Sequence, residues 1–214
     1  MSAELWARDA SGVNRKFCEL WAQDGTGVNR KLKELWANDG TGVSRKIFQS
    51  GLQATLGTEY SEWGDSSPIY PINAISNGIW TAGVWAYKTN ETSYYYRGGS
   101  INIPISDPLE IAAINFNAVS AVLNTTYTTS ELQFVAEILN STGAVIASKS
   151  VSRETSGIIT LSIPVNAIVP DQLSIRAYVG WNGSGGKQLV KGDKAYWSIP
   201  SRSIALSSGD EIYF

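Results

Sequence analysis

The aromatic residues of this chain suggest one specific function, because an exposed Trp or Tyr ring can stack on a sugar. The 214 residues include eight Trp and ten Tyr. Asn and Asp side chains beside such rings can bind sugar hydroxyl groups, which is how many β-sandwich modules bind glycans. The competing interpretation is that the rings fill a core or a subunit interface, because alternate residues of a strand share one face. The candidate glycan-binding residues are Trp63, Tyr94, Tyr95, Tyr96 and Trp181.

Residue types that commonly carry catalysis are scarce. The chain has no His, which is the commonest general base and zinc ligand, and it has one Cys, Cys18. The acidic residues are scattered, and no two of them can be paired from the sequence as the acid and nucleophile of a glycosidase. The segment 180–187 contains Gly and Lys without the spacing of a phosphate-binding loop, and Gln188 stands where Ser or Thr would bind magnesium. We therefore expect no enzyme, no cofactor and no metal site.

Net charge and hydropathy patterning disfavour two classes of partner. The net charge of -2 and the isoelectric point of about 5.2 give no general attraction for nucleic acid or for anionic lipid. No segment approaches the roughly 20 apolar residues that a membrane-spanning helix needs. We expect neither a nucleic acid nor a membrane as a partner.

The first 48 residues contain one 15-residue motif three times, beginning at Glu4, Glu19 and Glu34. Nine positions are unchanged in all three copies: Glu, Leu, Trp, Ala, Asp, Gly, Val, Arg and Lys. Catalysis needs one asymmetric constellation, whereas repetition multiplies one packing surface or one contact. The repeats therefore predict a docking or assembly module.

Each repeat is compatible with two local structures. The apolar residues Val28, Leu32, Leu35 and Trp36 have the spacing of a short amphipathic helix that ends at Asp-Gly-Thr-Gly. The alternative is a hairpin in which Glu-Leu-Trp-Ala forms one strand, the Gly-containing segment forms a turn, and the segment with Arg-Lys forms the returning strand. Either unit is marginal in isolation and must pack on its neighbours or on another subunit.

The composition beyond the repeats predicts a mainly β fold. Ile, Val, Thr, Tyr and Trp are frequent there, and two apolar runs around the turn at residues 140–143 predict a hairpin. Further strands are expected at residues 79–87, 93–105, 112–123, 158–165, 173–181, 195–199 and 204–214. Seven or eight strands with short turns indicate an antiparallel β-sandwich or a jelly-roll-like domain. The predicted organisation is residues 1–48 as the repeat module, 49–68 as a linker or lead-in, and 69–214 as the β-sandwich.

The repeats resemble those of virion structural proteins of tailed bacteriophages. The segment from Leu20 to Lys31 has the Trp, the Asp-Gly-Thr-Gly-Val turn and the Arg-Lys pair of short tandem repeats found in phage tails, necks and capsid surfaces. β-branched residues are more frequent in related repeats, which favours the hairpin. The resemblance implies a virion component that is assembled in the host cytoplasm, a capsid decoration, neck appendage or tail part.

Two functions follow from this resemblance. In the first, the repeats dock the protein to other virion proteins of the capsid, neck or tail, the sandwich faces outward, and the protein is a homo-oligomer. In the second, the sandwich binds a receptor or a host surface glycan. The predicted partner-docking residues are Leu5, Trp6, Arg15, Lys16, Leu20, Trp21, Arg30, Lys31, Leu35, Trp36, Arg45 and Lys46.

Overall fold

A computed structural model describes the backbone of residues 6–8, 14–16, 21–23, 29–31, 34–38, 44–49, 51–62, 69–86, 95–105, 108–123, 132–153, 155–181 and 191–214. The chain divides into two compact units, Met1–Gly51 and Leu52–Phe214. All the regular secondary structure among the described residues is β-strand. The mainly β fold predicted from composition is therefore confirmed.

The first unit contains one hairpin per repeat. Each forms a separate two-stranded antiparallel sheet, and the register places the Trp opposite the Lys of the Arg-Lys pair in all three. The hairpin is favoured over the helix because each repeat has Gly near its centre, where Gly favours a turn and disfavours helix. The strands are β1 (Trp6–Arg8), β2 (Asn14–Lys16), β3 (Trp21–Gln23), β4 (Asn29–Lys31), β5 (Glu34–Asn38) and β6 (Ser44–Gln49).

The second unit is a sandwich of two sheets. The strands are β7 (Leu52–Gln53), β8 (Thr55–Glu62), β9 (Ile69–Ser76), β10 (Ile79–Ala86), β11 (Tyr95–Pro104), β12 (Leu109–Leu123), β13 (Leu132–Leu139), β14 (Val145–Arg153), β15 (Gly157–Val169), β16 (Gln172–Trp181), β17 (Lys194–Pro200), β18 (Ile204–Leu206) and β19 (Glu211–Tyr213). Among the described residues, the larger sheet has the order β7-β19-β18-β12-β17-β10-β9, with β15 also paired to β12. The smaller sheet has the order β14-β13-β16-β11-β8.

Strand pairing in this unit is antiparallel, except that β7 pairs with β19 in parallel. The segment 49–68, predicted as a linker or lead-in, includes β7 and β8, and both strands pair within the sheets of the second unit. The predicted functional division into an anchoring module, a linker and a sandwich domain stays a prediction.

Alternate residues of the strands form the core between the two sheets. Trp80, Trp197, Phe116 and Phe134 are its largest fully buried side chains. The Trp197 ring lies 5.9 Å from the Phe134 ring and 6.4 Å from the Phe116 ring, between centroids. The Trp197 indole N–H donates to the backbone carbonyl of Tyr178 at 3.1 Å, so its polar atom is satisfied inside the core. This bond also joins the core to a strand of the smaller sheet.

Asn73 joins the two sheets at one edge. Its side-chain nitrogen lies 3.3, 3.1 and 3.4 Å from the carbonyl oxygens of Gly57, Thr58 and Ser100, and its side-chain oxygen accepts the indole N–H of buried Trp80 at 2.9 Å. The register of β11 against β8 shifts between Gly99 and Ile101. A Cβ atom at Gly99 would lie 2.0 Å from the Asn73 side chain, so only Gly leaves room for this contact. Asn73 thereby positions the edge strand β8.

Candidate functional site

The outward face of the smaller sheet carries a group of polar and aromatic side chains that contact one another. On strands β11 and β16, residues that face the core, apolar except for Arg97, alternate with residues that face outward. Because the register of β16 with β11 and with β13 is regular, the outward residues of these strands lie opposite each other in rows. The rows are Tyr96 with Gly180, Tyr60 with Gly98 and Tyr178, Ser100 with Arg176 and Glu137, and Asn102 with Ser174.

Three tyrosines of this face form a cluster, which we call the tyrosine cluster: Tyr60, Tyr96 and Tyr178. Tyr60 and Tyr178 flank Gly98, and their ring centroids are 4.8 Å apart with a 47° tilt. The Tyr96 ring meets the Tyr178 ring edge to face at 5.7 Å. A Cβ atom at Gly180 would lie 1.9 Å from Cδ1 of Tyr96, so the ring lies over a position without a side chain. Glycine in these rows therefore makes room for the rings.

An ion pair lies beside the tyrosine cluster. The Arg176 Nε donates to Oε2 of Glu137 at 2.7 Å, and a second guanidinium nitrogen, Nη2, donates to the same oxygen. The other carboxylate oxygen of Glu137 accepts the hydroxyl of Tyr178 at 2.9 Å. The guanidinium carbon lies 4.1 Å from the centroid of the Tyr60 ring, within the range of a cation–π contact. Arg176 is therefore held on two sides, by a carboxylate and by an aromatic face.

The hydroxyl groups of two of these tyrosines are hydrogen-bond donors at neutral pH. Burial, followed by the hydrogen bond to Glu137, raises the pKa of Tyr178 well above its usual value. Burial, followed by the hydrogen bond to the Glu62 carboxylate, does the same to the pKa of Tyr60. Both phenols thus stay protonated, and each donates its proton to a carboxylate.

A cleft of about 180 Å³ opens next to the ion pair. Most of its side chains carry hydroxyl or amide groups, and the charged ones are Glu59 and Arg176. Ser174 donates to the Asn102 side-chain oxygen at 2.8 Å and accepts from the Gln172 amide at 3.2 Å. The lining residues are Thr58, Glu59, Tyr60, Ser100, Asn102, Leu139, Asn140, Ser141, Gly143, Gln172, Ser174 and Arg176. The cleft thus offers several neutral donors and acceptors beside an aromatic ring.

A second aromatic patch lies on the outward face of the larger sheet. Tyr70 and Trp85, opposite each other on β9 and β10, are 51% and 38% exposed. Their ring centroids are 6.1 Å apart, and the Lys194 ammonium lies 5.8 Å from the Trp85 ring. This patch combines two aromatic rings with one cation. Its residues can serve as controls for substitutions in the tyrosine cluster.

The residues predicted to bind glycan lie in different environments in the structure. Tyr96 belongs to the tyrosine cluster, whereas Tyr95 is 3% exposed and faces the core, as strand alternation requires of neighbours. The backbone of Trp181 pairs with Tyr95. Trp63 and Tyr94 lie outside the described residues, and so does the side chain of Trp181.

The predicted partner-docking residues lie in the repeats. Leu5 and Leu20 are outside the described residues, and the other ten have described backbone in the six strands of the first unit. Four residues of the site were not predicted from the sequence: Tyr60, Glu137, Arg176 and Tyr178. The alternation of apolar and polar residues in 173–178 places Arg176 and Tyr178 on one face and was the available signal.

Two further properties concern the described ranges only. No helix in them is long and apolar enough to cross a membrane. No group of three or more His, Cys, Asp or Glu side chains in them could hold a metal ion.

The fold of this chain is similar to parts of several solved structures. No protein-family model matches the chain, and no curated protein matches it. An arabinose-bound α-L-arabinofuranosidase is similar to it at 10% identity and a TM-score of 0.36, over 69% of this chain and 25% of that one. The enzymatically active domain of tailspike protein 4 of bacteriophage CBA120 is similar at 13% identity and a TM-score of 0.34, over 72% of this chain and 19% of that one. A carbohydrate-binding module solved with β-1,4-galactotriose is similar at 10% identity and a TM-score of 0.31, over 70% of this chain and 86% of that one.

These comparisons correct one prediction. From the absence of His and of an assignable acidic pair, we expected no enzyme. Two of the similar chains are named as an enzyme and as an enzymatically active domain, so that expectation is wrong. This chain spans about a quarter and a fifth of their lengths, respectively. At these identities and TM-scores the likeness concerns the fold alone and assigns no activity.

Proposed function

We propose that the second unit binds a saccharide on the outward face of its smaller sheet. The supporting observation is the tyrosine cluster beside the polar cleft. Aromatic faces stack on the apolar faces of sugar rings, while amide and hydroxyl side chains bind the sugar hydroxyls. Tyr60 belongs to both parts, because its ring contacts Tyr178 and Arg176 and also lines the cleft.

Preorganisation of the site supports this proposal. Tyr178 is held by Glu137 and by the contacts of its ring with Tyr60 and Tyr96. Arg176 is held by Glu137 and Tyr60. Side chains that are already fixed lose little rotamer freedom when a ligand binds, so more of the contact energy is available for affinity.

The test is binding of the full chain to immobilised glycans, followed by calorimetry with the glycans that bind. Tyr60→Ala should weaken binding about fivefold or more, because an aromatic contact contributes about 1 kcal/mol. Tyr70→Ala is the matched control, since Tyr70 is an exposed tyrosine of the opposite sheet. Binding that depends on Tyr70 and is unaffected by Tyr60→Ala would refute the assignment of the site.

A second function concerns the first unit, which we propose is a docking module of a bacteriophage virion protein. Its three hairpins form separate two-stranded sheets in the described residues. An isolated two-stranded hairpin is marginally stable in water, so three short hairpins need a surface to pack on. Other virion proteins of the capsid, neck or tail, or further copies of this chain, would provide that surface. In this proposal Trp6, Trp21 and Trp36 are buried by the partner and the Arg-Lys pairs meet its acidic groups.

Incorporation into assembled particles tests the docking module. Replacing Trp6, Trp21 and Trp36 together by Ala should abolish particle association and leave the thermal unfolding of the second unit unchanged. Trp85→Ala, an exposed Trp of the second unit, controls for loss of an aromatic ring elsewhere. Normal incorporation of the triple variant would show that the repeats do not anchor the protein.

A further inference from the structure

We propose that the cleft selects neutral saccharides over acidic ones, and that Glu137 determines this selectivity by neutralising Arg176. This inference rests on the proposed saccharide site and names its ligand class. An arginine in a cleft is usually a receptor for carboxylate or phosphate, because its planar guanidinium binds two oxygens of an anion. Here the protein's own carboxylate already holds the guanidinium.

The geometry of the ion pair shows how Glu137 takes the place of an anionic ligand. Two guanidinium nitrogens of Arg176 donate to one carboxylate oxygen of Glu137. The second oxygen accepts from Tyr178, so both oxygens are bonded. The Glu137 side chain is 13% exposed and the Arg176 side chain 21% exposed. An anion that entered the cleft would have to compete with a fixed, largely buried carboxylate for the same guanidinium.

The remaining charge of the cleft also disfavours an anion. Apart from Arg176, the charged lining residue in the described part of the chain is Glu59. Glu59, Arg176 and the adjoining Glu137 together carry one net negative charge. A sugar carboxylate in the cleft would be repelled by Glu59 without gaining an unpaired cation.

The neutral side chains of the lining suit sugar hydroxyls. Asn102, Gln172 and Ser174 form a hydrogen-bonded chain along the cleft, and Ser100 lies in the neighbouring row. Amide and hydroxyl groups both donate and accept, as sugar hydroxyls do. Arg176 can contribute through its remaining guanidinium N–H groups, which donate to a neutral oxygen without requiring an anion.

The volume of the cleft limits the length of the ligand. Pockets for drug-sized ligands measure roughly 300–1,000 Å³. The 180 Å³ of this cleft is smaller, so we infer that it holds about one sugar residue. The adjoining Tyr60 ring would stack on that residue or on the next one.

The experiment compares matched neutral and acidic ligands on the full chain. The probes are an α-glucan, a β-glucan, a β-galactan and a mannan, each with its C6-carboxylated form. Linkage and ring geometry are the same within each pair, so the difference in affinity reports the carboxylate. The wild-type chain should bind at least one neutral polysaccharide and should bind its carboxylated form about tenfold more weakly or worse.

Glu137→Gln tests the role of the ion pair. The amide keeps an acceptor for Tyr178 and removes the negative charge, so Arg176 should then attract a sugar carboxylate. Affinity for the carboxylated form should rise about tenfold, which is the worth of one hydrogen bond to a charged group. Glu211→Gln is a matched control, because Glu211 pairs with Arg202 at 3.1 Å and Arg202 lies 5.8 Å from the Tyr213 ring. Thermal unfolding of each variant shows that it is folded.

Each outcome decides a separate point. Equal or tighter binding of the carboxylated forms by the wild-type chain would overturn neutral selectivity while leaving saccharide binding intact. An unchanged preference in folded Glu137→Gln would overturn the role of the ion pair. Failure of the wild-type chain to bind any of the eight polysaccharides would overturn the saccharide site itself and this inference with it.

Discussion

Replacing Asn73 by Ala should detach one edge of the sandwich and destabilise the second unit. The Asn73 side chain bonds the indole N–H of Trp80 and lies within reach of three carbonyl oxygens of β8 and β11. Trp80 is 0% exposed, so the substitution would leave a buried donor without its partner. That costs about 1–3 kcal/mol, and loss of the amide bonds to β8 adds about 1 kcal/mol. The expected decrease in the free energy of unfolding is therefore about 2–4 kcal/mol.

Denaturant unfolding of the full chain, followed by Trp fluorescence and far-ultraviolet circular dichroism, measures this decrease. At about 2–4 °C per kcal/mol for a domain of this size, the melting temperature of the second unit should also fall clearly. Asn115→Ala is a matched control, because Asn115 is exposed on β12 of the same sheet. Substitution at such a surface position changes stability by about 0.5 kcal/mol or less.

A double-mutant cycle isolates the bond between the two side chains. Trp80→Phe removes the indole N–H, so Asn73→Ala should cost less in that background than in the wild-type chain. The coupling energy should be about 1 kcal/mol or more. Full additivity of the two substitutions would refute the argument that Asn73 stabilises the fold through Trp80.

Two further predictions concern the tyrosine cluster. Gly180→Ala should lower the free energy of unfolding by about 1–3 kcal/mol and alter the near-ultraviolet circular dichroism, because the new methyl group would lie 1.9 Å from the Tyr96 ring. The stability of the second unit should also fall as the pH rises above about 10, the usual pKa of tyrosine. Because the pKa values of Tyr60 and Tyr178 are raised in the folded state, the unfolded chain loses these protons first. Tyr178→Phe should reduce this dependence in unfolding experiments between pH 9 and 11, and an unchanged slope would contradict it.

The strands of the sandwich could largely be predicted from local patterns. The hairpin of β13 and β14 and the strands β10 to β17 lie close to their predicted positions, because alternation and turn residues are local signals. The segment predicted as one strand from Ile204 onward is two short strands, since Gly209 adopts a φ of 93° in the turn between them. Strands β7, β8 and β9 were not predicted. β9 contains Pro71 and lies at the edge of its sheet, where a residue without an N–H is tolerated.

The candidate site could be predicted only in part. Aromatic composition indicated a stacking surface, and the alternation around Tyr95 and Tyr96 required one of them to face outward. The sequence could not show that Tyr96 is the outward one, because that depends on which face of β11 packs on the core. It also could not show that Tyr60, on a missed strand, lies against Tyr178.

The amino-acid sequence by itself determined the β class of the larger part of the chain, the presence of three tandem repeats and the number of aromatic and hydroxyl side chains, because composition and turn residues are properties of short segments. It left the repeats compatible with either a hairpin or a short helix. Tertiary structure alone decided which of these side chains meet. Glu137 and Arg176 are 39 residues apart and are brought together by the register of β13 with β16. Glycine in the neighbouring rows then lets the tyrosine rings lie beside that ion pair. Strand order and register create the site, and neither is encoded in any single segment.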